Sequence, residues 1–160
     1  MEIVEDAGEE EHEEKYIGSI QLESGLMAMN FQVAGVNKSL AAVSKICKAG
    51  NVVQFGENED ECFIQNKKTG KKLMMKQRRG SYVIDVNFVK KVAEDEFEKV
   101  GDAVITVDSG AEESVCPWEW GEAFGMNPVQ PGCEMRMINA AGDQMPHYGS
   151  RKVVFAATGF

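Results

Sequence analysis

The residues best suited to chemistry are Asp108, Ser109, Gly110 and Ala111, which directly follow the apolar run 104–107. At average composition, such a pattern arises by chance in roughly 1% or fewer of chains of this length. A carboxylate at the end of a buried strand can face a second carboxylate across a symmetric interface. Two such groups about 3 Å apart share a proton, so one activates a water while the other polarises a carbonyl. Gly110 would let the backbone approach the carboxylate, and Ser109 could hydrogen-bond around it. The alternative is an ordinary strand end closed by an Asx or glycine turn.

Other reactive side chains lack the partners that catalysis or metal binding requires. His147, in MPHYG, has no nucleophile beside it and is interpreted as a polar turn residue. Cys116 lacks a neighbouring base and is interpreted as a small buried apolar residue. The four cysteines form no CxxC pair and have no histidine at zinc spacing. We therefore expect no metal site, no cofactor and reduced, mostly buried thiols. Trp118 and Trp120 are expected to fill the core or an interface.

The acidic charge of the chain is concentrated at one end. Residues 1–14 hold eight of the 26 acidic residues and no Lys or Arg, and the formal net charge is −9. This segment is expected to be an acidic disordered tail, and the overall acidity argues against nucleic acid as a partner. The basic cluster within 67–79 lies among turns with nearby acids, which favours solvated turns over phosphate binding. No apolar run reaches the roughly 20 residues of a membrane helix, and no secretory signal opens the sequence. A cytoplasmic protein without membrane association is therefore expected.

The elements before residue 90 are predicted to be short strands and one helix. Strands are expected at 16–22 and 26–33, joined by the Gly-containing turn 23–25. The apolar spacing over 40–47 predicts a helix, capped at its start by Asn37 or Ser39 and ended near Gly50. Further strands are expected at 51–55, 62–66, 71–76 and 81–89.

The second half of the chain is predicted to be a separate set of strands. Residues 90–101 are predicted to be a charged connector or short helix, with an internal boundary near Val100. The run 104–107 is apolar throughout, which predicts burial on both faces. A turn-rich stretch follows, and then strands interrupted by glycine turns within 134–155. Many short strands with one helix predict an all-β barrel or sandwich.

The segment ITVDSGAEESVCP (105–117) resembles the active-site strand and loop of retropepsin-like aspartic proteases. The remainder resembles the C-terminal half of the copia-type retrotransposon version of that family. The matching stretches are 33–36, 40–46, 50–55, 62–70 and 82–85. The helix departs most from the family, because Ala41 and Ala42 replace bulkier residues. In all, the resemblance extends over roughly 120 residues. Val33, Ala34 and Gly35 correspond to the family's strand–helix junction.

The order of the two halves differs from that of the family. The helix-containing half (15–90) precedes the Asp-Ser-Gly half (102–160), with the connector 91–101 between them, whereas the resembled proteases have the reverse order. The resemblance therefore implies a circularly permuted, retropepsin-like closed β-barrel with one short α-helix, formed by 15–160 as a single domain. It also implies new termini at the flap, the hairpin that covers the substrate. The alternative is a fragment that joins the end of one protease-like unit to the start of the next.

The resemblance implies an aspartic endopeptidase that processes a retroelement polyprotein. Asp108 would be catalytic, and Ser109, Gly110 and Ala111 would support its loop. Only one Asp-Ser-Gly occurs in the sequence, so a two-carboxylate site requires a homodimer. The substrate would be an extended peptide. The alternative function is a catalytically silent, retropepsin-fold dimerisation or binding domain left by a degenerate element.

Overall fold

The structure is a computed structural model that describes residues 2–4, 15–17, 20–22, 26–93 and 96–157. Most of the expected acidic tail and the expected turn at 23–25 lie outside these residues. Of the tail, Glu2–Val4 forms a strand, although disorder was predicted for this segment. The β-branched residues Ile3 and Val4 give this piece a strand preference that the surrounding acids conceal.

The protein is mostly β, as predicted, with one short α-helix among the described residues. The helix is α1 (Val43–Lys48). The strands are β1 (Glu2–Val4), β2 (Lys15–Ile17), β3 (Ile20–Leu22), β4 (Leu26–Ala34), β5 (Leu40–Ala42), β6 (Asn51–Gln54), β7 (Phe63–Asn66), β8 (Lys72–Met74), β9 (Lys76–Arg78), β10 (Ser81–Ala93), β11 (Glu96–Asp108), β12 (Val115–Cys116), β13 (Asn127–Pro128), β14 (Met137–Ile138), β15 (Gln144–Met145) and β16 (His147–Ala157). Short 3₁₀ turns cover Glu59–Glu61 and Glu122–Phe124.

Strands from both halves of the chain share one eleven-stranded sheet. Its order is β3-β2-β11-β5-β12-β4-β16-β10-β9, with β1 added to β4 and β13 added to β16. β10 also pairs with β11 along almost their whole length. Three of the pairings between strands before and after residue 90 are parallel: β11 with β5, β11 with β2, and β12 with β4. Two smaller sheets complete the fold, β6-β7-β8 and the hairpin β14-β15.

The helix is shorter than predicted, because its first three residues form a strand. Leu40–Ala42 pairs in parallel with the last three residues of β11, and α1 begins only at Val43. Ala41 and Ala42 are fully buried in this pairing. Neither Asn37 nor Ser39 caps α1, since the N-cap is Ala42, without a side-chain cap. The helix ends near Gly50 as predicted, where φ is +96°.

The charged connector or short helix predicted over 91–101 is wrong for the residues that the structure describes there: 91–93 and 96–101 extend β10 and β11 into a long antiparallel pair. Their charged side chains are exposed, whereas Phe97 is buried at 6% exposure in a small cluster with Val89 and Ala156. The charged residues on the exposed face of these strands therefore resembled the composition of a linker. The predicted two-sided burial of 104–107 is also wrong, since Val104 is 45% exposed while Ile105 and Val107 are buried.

The main core lies between the large sheet and β6-β7-β8. Its fully buried side chains come from both halves of the chain; the largest are Phe31, Ile46, Met75, Ile84, Ile105, Val153 and Phe155. Trp120 packs edge-on against Phe31 and Phe88, with ring centroids 4.9 Å apart in each case. Trp118, by contrast, is 49% exposed and contacts Tyr148, so only one of the two tryptophans fills the core. Within the described part of the chain, no helix is long and apolar enough to cross a membrane.

Candidate active site

Asp108 is the last residue of β11 and is half-buried. It pairs in parallel with Ala42, the residue immediately before α1. One carboxylate oxygen, Oδ1, accepts a hydrogen bond of 2.8 Å from the backbone N–H of Gly110. The buried strand therefore fixes the backbone of Asp108, and the turn that follows orients its carboxylate.

The residues after Asp108 are arranged less tightly than the sequence suggested. A Cβ atom at Gly110 would lie 3.5 Å from Oδ1 of Asp108, which is ordinary van der Waals contact. The close backbone approach predicted at Gly110 is therefore not required within one chain. Ser109 is exposed and makes no hydrogen bond to the described residues, while Ala111 is half-buried.

Ser114 connects this loop to the two strands beside it. Its side chain is buried, and its Oγ accepts a hydrogen bond of 2.9 Å from the backbone N–H of Ala42. Its backbone carbonyl accepts a second bond, 2.8 Å long, from the N–H of Gln32 on β4. The loop that carries Asp108 is thus joined to two strands of the helix-containing half, β4 and β5.

The predicted junction, Val33, Ala34 and Gly35, lies at the end of β4 beside this loop. Val33 pairs with Cys116 of β12, and Ala34 is buried against Val115. Gly35 donates its N–H to the carbonyl of Pro146 at 3.1 Å. A Cβ at Gly35 would lie 2.9 Å from the Pro146 ring, so this position needs a residue without a side chain.

A cleft of about 720 Å³ opens beside Asp108 and is bounded by the hairpin β14-β15. Its lining combines the Asp108 loop with the hairpin and with the apolar side chains of Val36, Leu40, Val115, Met137, Ile138 and Met145. The resemblance implied that the covering hairpin lies at the new chain termini. The hairpin that faces Asp108 instead lies within the Asp-Ser-Gly half, at 137–145.

Charged side chains occur at the rim of the cleft. Glu112, Glu113 and Arg136 line it, and Glu113 forms an ion pair of 3.3 Å with Lys45 of α1. Cys116, in contrast, is fully buried beside the loop, and burial raises the pKa of its thiol to about 11. A thiol with so high a pKa is protonated at neutral pH and is a poor nucleophile, in agreement with the apolar role expected for Cys116.

Two expectations about reactive side chains need correction. His147 is not in a turn: it begins β16 and is half-buried, with hydrogen-bonding partners at both ring nitrogens. Only Cys62 and Cys116 are buried, whereas Cys47 and Cys133 are exposed; all four are free thiols. Among the residues that the structure covers, no group of three or more His, Cys, Asp or Glu could hold a metal ion.

The basic residues within 67–79 have three kinds of surroundings. Lys76 and Arg78 both bind Asp85, with nitrogen–oxygen distances of 3.1 and 2.6 Å. Lys72 lies over the ring of Phe63, 4.2 Å from its centroid. Lys67, Lys68 and Lys71 are exposed in and beside the β7–β8 turn.

Three features of the site were not predicted from the sequence: the hydrogen bonds of Ser114, the hydrogen bonds of His147 and the hairpin 137–145. Ser114 had one signal, a hydroxyl residue directly before the buried pair Val115–Cys116. His147 had none, because its partners Gln32 and Met135 are distant or unremarkable in sequence. The hairpin had the turn signal Gly142-Asp143, but its strands are only two residues long.

Comparison with protein-family models, with curated proteins and with solved structures found no match to this chain.

Proposed function

We propose that this chain is a retropepsin-like aspartic endopeptidase domain that cleaves a retroelement polyprotein in the cytoplasm as a homodimer. The observation that carries the proposal is the position of Asp108. It ends a central strand, its carboxylate is oriented by the following turn, and it shares a cleft with a hairpin. These are the features that an acid–base carboxylate and an overlying flap require.

The proposed reaction uses two Asp108 carboxyl groups that share one proton. The ionised group removes a proton from a water molecule, whose oxygen bonds to the scissile carbonyl carbon, while the protonated group donates a hydrogen bond to the carbonyl oxygen. The carbon–nitrogen bond then breaks, and the departing nitrogen takes up a proton from the dyad. The products are a new carboxylate and a new amine.

The second carboxylate has to come from a second copy of the chain. Within the described residues, no other aspartate lines the cleft. Asp85 is bound by Arg78 and Lys76 on another hairpin, and neither it nor Asp143 is followed by Ser-Gly. A twofold axis beside Asp108 would bring two equivalent loops together. Gly110, whose small size is not needed within one chain, would then be needed between chains.

The proposed fold is a closed, permuted barrel. The pairing of β10 with β11 supports this proposal. These two strands are the ends of the path β11-β5-β12-β4-β16-β10, and they also pair with each other. The proposed substrate is an extended peptide that lies between the Asp108 loop and the hairpin 137–145. The apolar lining of the cleft supports a preference for apolar side chains near the cleaved bond.

A second candidate is a catalytically silent binding or dimerisation domain of the same fold. One observation favours it: the hydroxyl of Ser109 bonds to nothing in the described chain, so the loop lacks the supporting network expected around a catalytic carboxylate. This candidate predicts a dimer without hydrolysis.

The deciding experiment is a peptidase assay with a mixed peptide library at acidic and neutral pH. Asp108→Asn should fold normally, because its amide oxygen can still accept the Gly110 N–H. Its kcat/KM should fall by about 10²- to 10⁴-fold. Asp102→Asn, on the exposed face of the same strand, is the matched control and should retain activity. Specific activity should also rise with protein concentration. Equal cleavage by wild type and Asp108→Asn would disprove the assignment, and a dimer without cleavage would favour the second candidate.

A further inference from the structure

The hairpin that faces Asp108 has few contacts of its own with the rest of the protein. Its two strands pair over only two residues each, and its turn is closed locally by Asn139, whose Oδ1 accepts the N–H groups of Ala141 and Asp143. Of its side chains only Met137 is buried, in a cluster with Ala34 and Val115. The position of the hairpin therefore depends on how its two ends are held.

One imidazole ring holds both ends. His147 follows the second leg of the hairpin after Pro146, and its Nδ1 accepts a hydrogen bond of 3.0 Å from the backbone N–H of Met135, which precedes the first leg. Its Nε2 lies 2.8 Å from Oε1 of Gln32 on β4. Gln32 pairs with Val115 and donates its N–H to the carbonyl of Ser114. The ring thus connects the base of the hairpin to the strands beside the Asp108 loop.

This arrangement requires the neutral form of the ring. The backbone N–H of Met135 can only donate, so Nδ1 must carry no proton. The single ring proton is then on Nε2, from which it is donated to Oε1 of Gln32. A second proton on Nδ1 would place two donors opposite each other and break the bond to Met135, while the bond to Gln32 would remain.

The described surroundings provide no counterion for a charged ring. β4 carries no charged residue. The segment before β14 contributes Glu134 and Arg136, and β16 contributes Arg151 and Lys152. Arg151 is directed to the carbonyls of Trp118, Trp120 and Gly125. Within the described ranges, no carboxylate forms an ion pair with the ring.

We propose that His147 is a positioning residue whose neutral form fixes the hairpin 137–145 over the Asp108 cleft and whose protonation releases the first leg of that hairpin. The functional consequence rests on the proposed function, since it assumes that the cleft is catalytic. Acidification from pH 8 to pH 5, the range in which imidazoles change charge, would then loosen the hairpin. Substrate binding would then weaken.

The test is nuclear magnetic resonance on the full ¹⁵N-labelled chain between pH 8 and pH 5. The ring nitrogens of His147 should report the Nε2-protonated tautomer at pH 8. As the ring gains its second proton, the hairpin amides should shift with the same midpoint. Their protection against hydrogen exchange, corrected for intrinsic rates, should fall by about 2- to 10-fold, as expected for one lost hydrogen bond.

Two variants separate this role from a general structural one. His147→Asn retains an acceptor near the position of Nδ1 but does not titrate, so its hairpin should keep its protection throughout the pH range. His12→Asn removes the only other histidine in the sequence and should behave like wild type. A hairpin that does not titrate with His147 in the wild type, or that still titrates in His147→Asn, would overturn the proposal. The wild-type titration decides alone if His147→Asn does not fold.

The outcome is separable from that of the proposed function. If the hairpin titrates with His147 but no Asp108-dependent cleavage exists, the positioning role stands and the protease assignment does not. If cleavage occurs, His147→Asn should flatten the acid rise of KM with little change in kcat. A wild-type KM that is constant between pH 8 and pH 5 would contradict the link between the hairpin and the substrate.

Discussion

Asp108 and Ser114 lie in the same loop, but their surroundings differ. Asp108 is half-buried and lines the cleft, and the hydrogen bond that its side chain accepts from Gly110 is also available to an asparagine. Ser114 is buried, and its hydroxyl is the partner of a backbone N–H that is itself buried. We therefore expect the fold to depend more on the Ser114 hydroxyl than on the Asp108 carboxylate.

We predict that Ser114→Ala destabilises the protein by about 1–3 kcal/mol, because the N–H of Ala42 would lose its partner away from water. Ser109→Ala is the matched control in the same loop. Its hydroxyl is exposed and unbonded within the described chain, so the change should stay within about 0.5 kcal/mol. Urea unfolding of both variants measures the difference. Equal stabilities would show that the Ser114 bond is replaced by water.

Individual residues were predictable where sequence neighbours carry the signal. Asp108 and Gly110 form a local turn, so their proximity followed from the sequence. The bond of Ser114 to Ala42 spans 72 positions, and that of His147 to Gln32 spans 115. Such pairs arise from sheet topology, which single-sequence patterns do not encode.

At the scale of elements, the errors have a common cause. Leu40–Ala42 fits the helical spacing of the residues after it, yet parallel pairing with β11 makes it a strand. Likewise, the charges within 90–101 suggested a linker, yet the charged residues described at 90–93 and 96–101 are exposed on a long antiparallel pair of strands that buries Phe97. In both segments tertiary pairing outweighs local pattern.

The β9–β10 hairpin is stabilised by an ion pair whose pH dependence can be stated. Hydrogen bonds from Arg78 lower the pKa of Asp85; partial burial opposes this effect, and Lys76 adds to it. A carboxyl group with a lowered folded pKa stabilises the protein above its unfolded pKa of about 3.9, and the stabilisation is lost as the pH falls through the folded value.

We therefore predict that Asp85→Asn lowers the melting temperature at pH 7 by a few degrees, since the pair is partly solvated. The gap to wild type should close as the pH falls below about 4. Thermal denaturation monitored by circular dichroism measures it. Glu57→Gln, an exposed acid nearby, should show no such pH-dependent gap. A gap that persists unchanged at low pH would assign the effect to packing instead of charge.

The segment 118–125 is attached to β16 by a buried guanidinium. Arg151 is only 4% exposed and donates hydrogen bonds to the carbonyls of Trp118, Trp120 and Gly125. These bonds hold Trp120 against Phe31 and Phe88 in the main core. The segment 118–125 is thus held by hydrogen bonds from Arg151 and by the packing of the Trp120 ring in the core.

We predict that Arg151→Met costs about 2–4 kcal/mol, because three carbonyls lose a charged donor. Arg151→Lys should cost less but should not restore wild-type stability, since an ammonium cannot reproduce the planar fork. Arg136→Met is the control for loss of a positive charge, because Arg136 is exposed just before the hairpin 137–145. Tryptophan fluorescence during urea unfolding reports both stability and the environment of Trp120. A neutral Arg151→Met would contradict the attachment.

At the scale of the whole molecule, the two halves of the chain are interleaved. β4 lies between β12 and β16, and β5 lies between β11 and β12. The resemblance to the family, with the two halves in permuted order, predicted that the halves share one domain. Which strands lie next to each other could not be predicted from the sequence. The connection between residues 93 and 96 joins the halves in the present order. It links two antiparallel strands, so strand pairing does not depend on it.

We predict that the chain folds to the same structure when its order is reversed, with residues 95–160 followed directly by 1–94. β1 and β16 lie on either side of β4, with Glu2 and Val154 both opposite Ala28, so residues 158–160 and residue 1 need only connect two nearby strands. Replacing the two-residue connection by this four-residue one should cost about 0.6 kcal/mol, one doubling of loop length. The far- and near-ultraviolet circular dichroism should match wild type, with one cooperative unfolding transition.

The control is a second reordered chain whose new ends lie between Ile105 and Thr106. It cuts β11 where that strand pairs with both β5 and β10, so this variant should not fold. A reordered chain that unfolds in two steps, or not cooperatively, would show that the halves depend on the present order, and it would favour the interpretation of this sequence as a junction of two protease-like units.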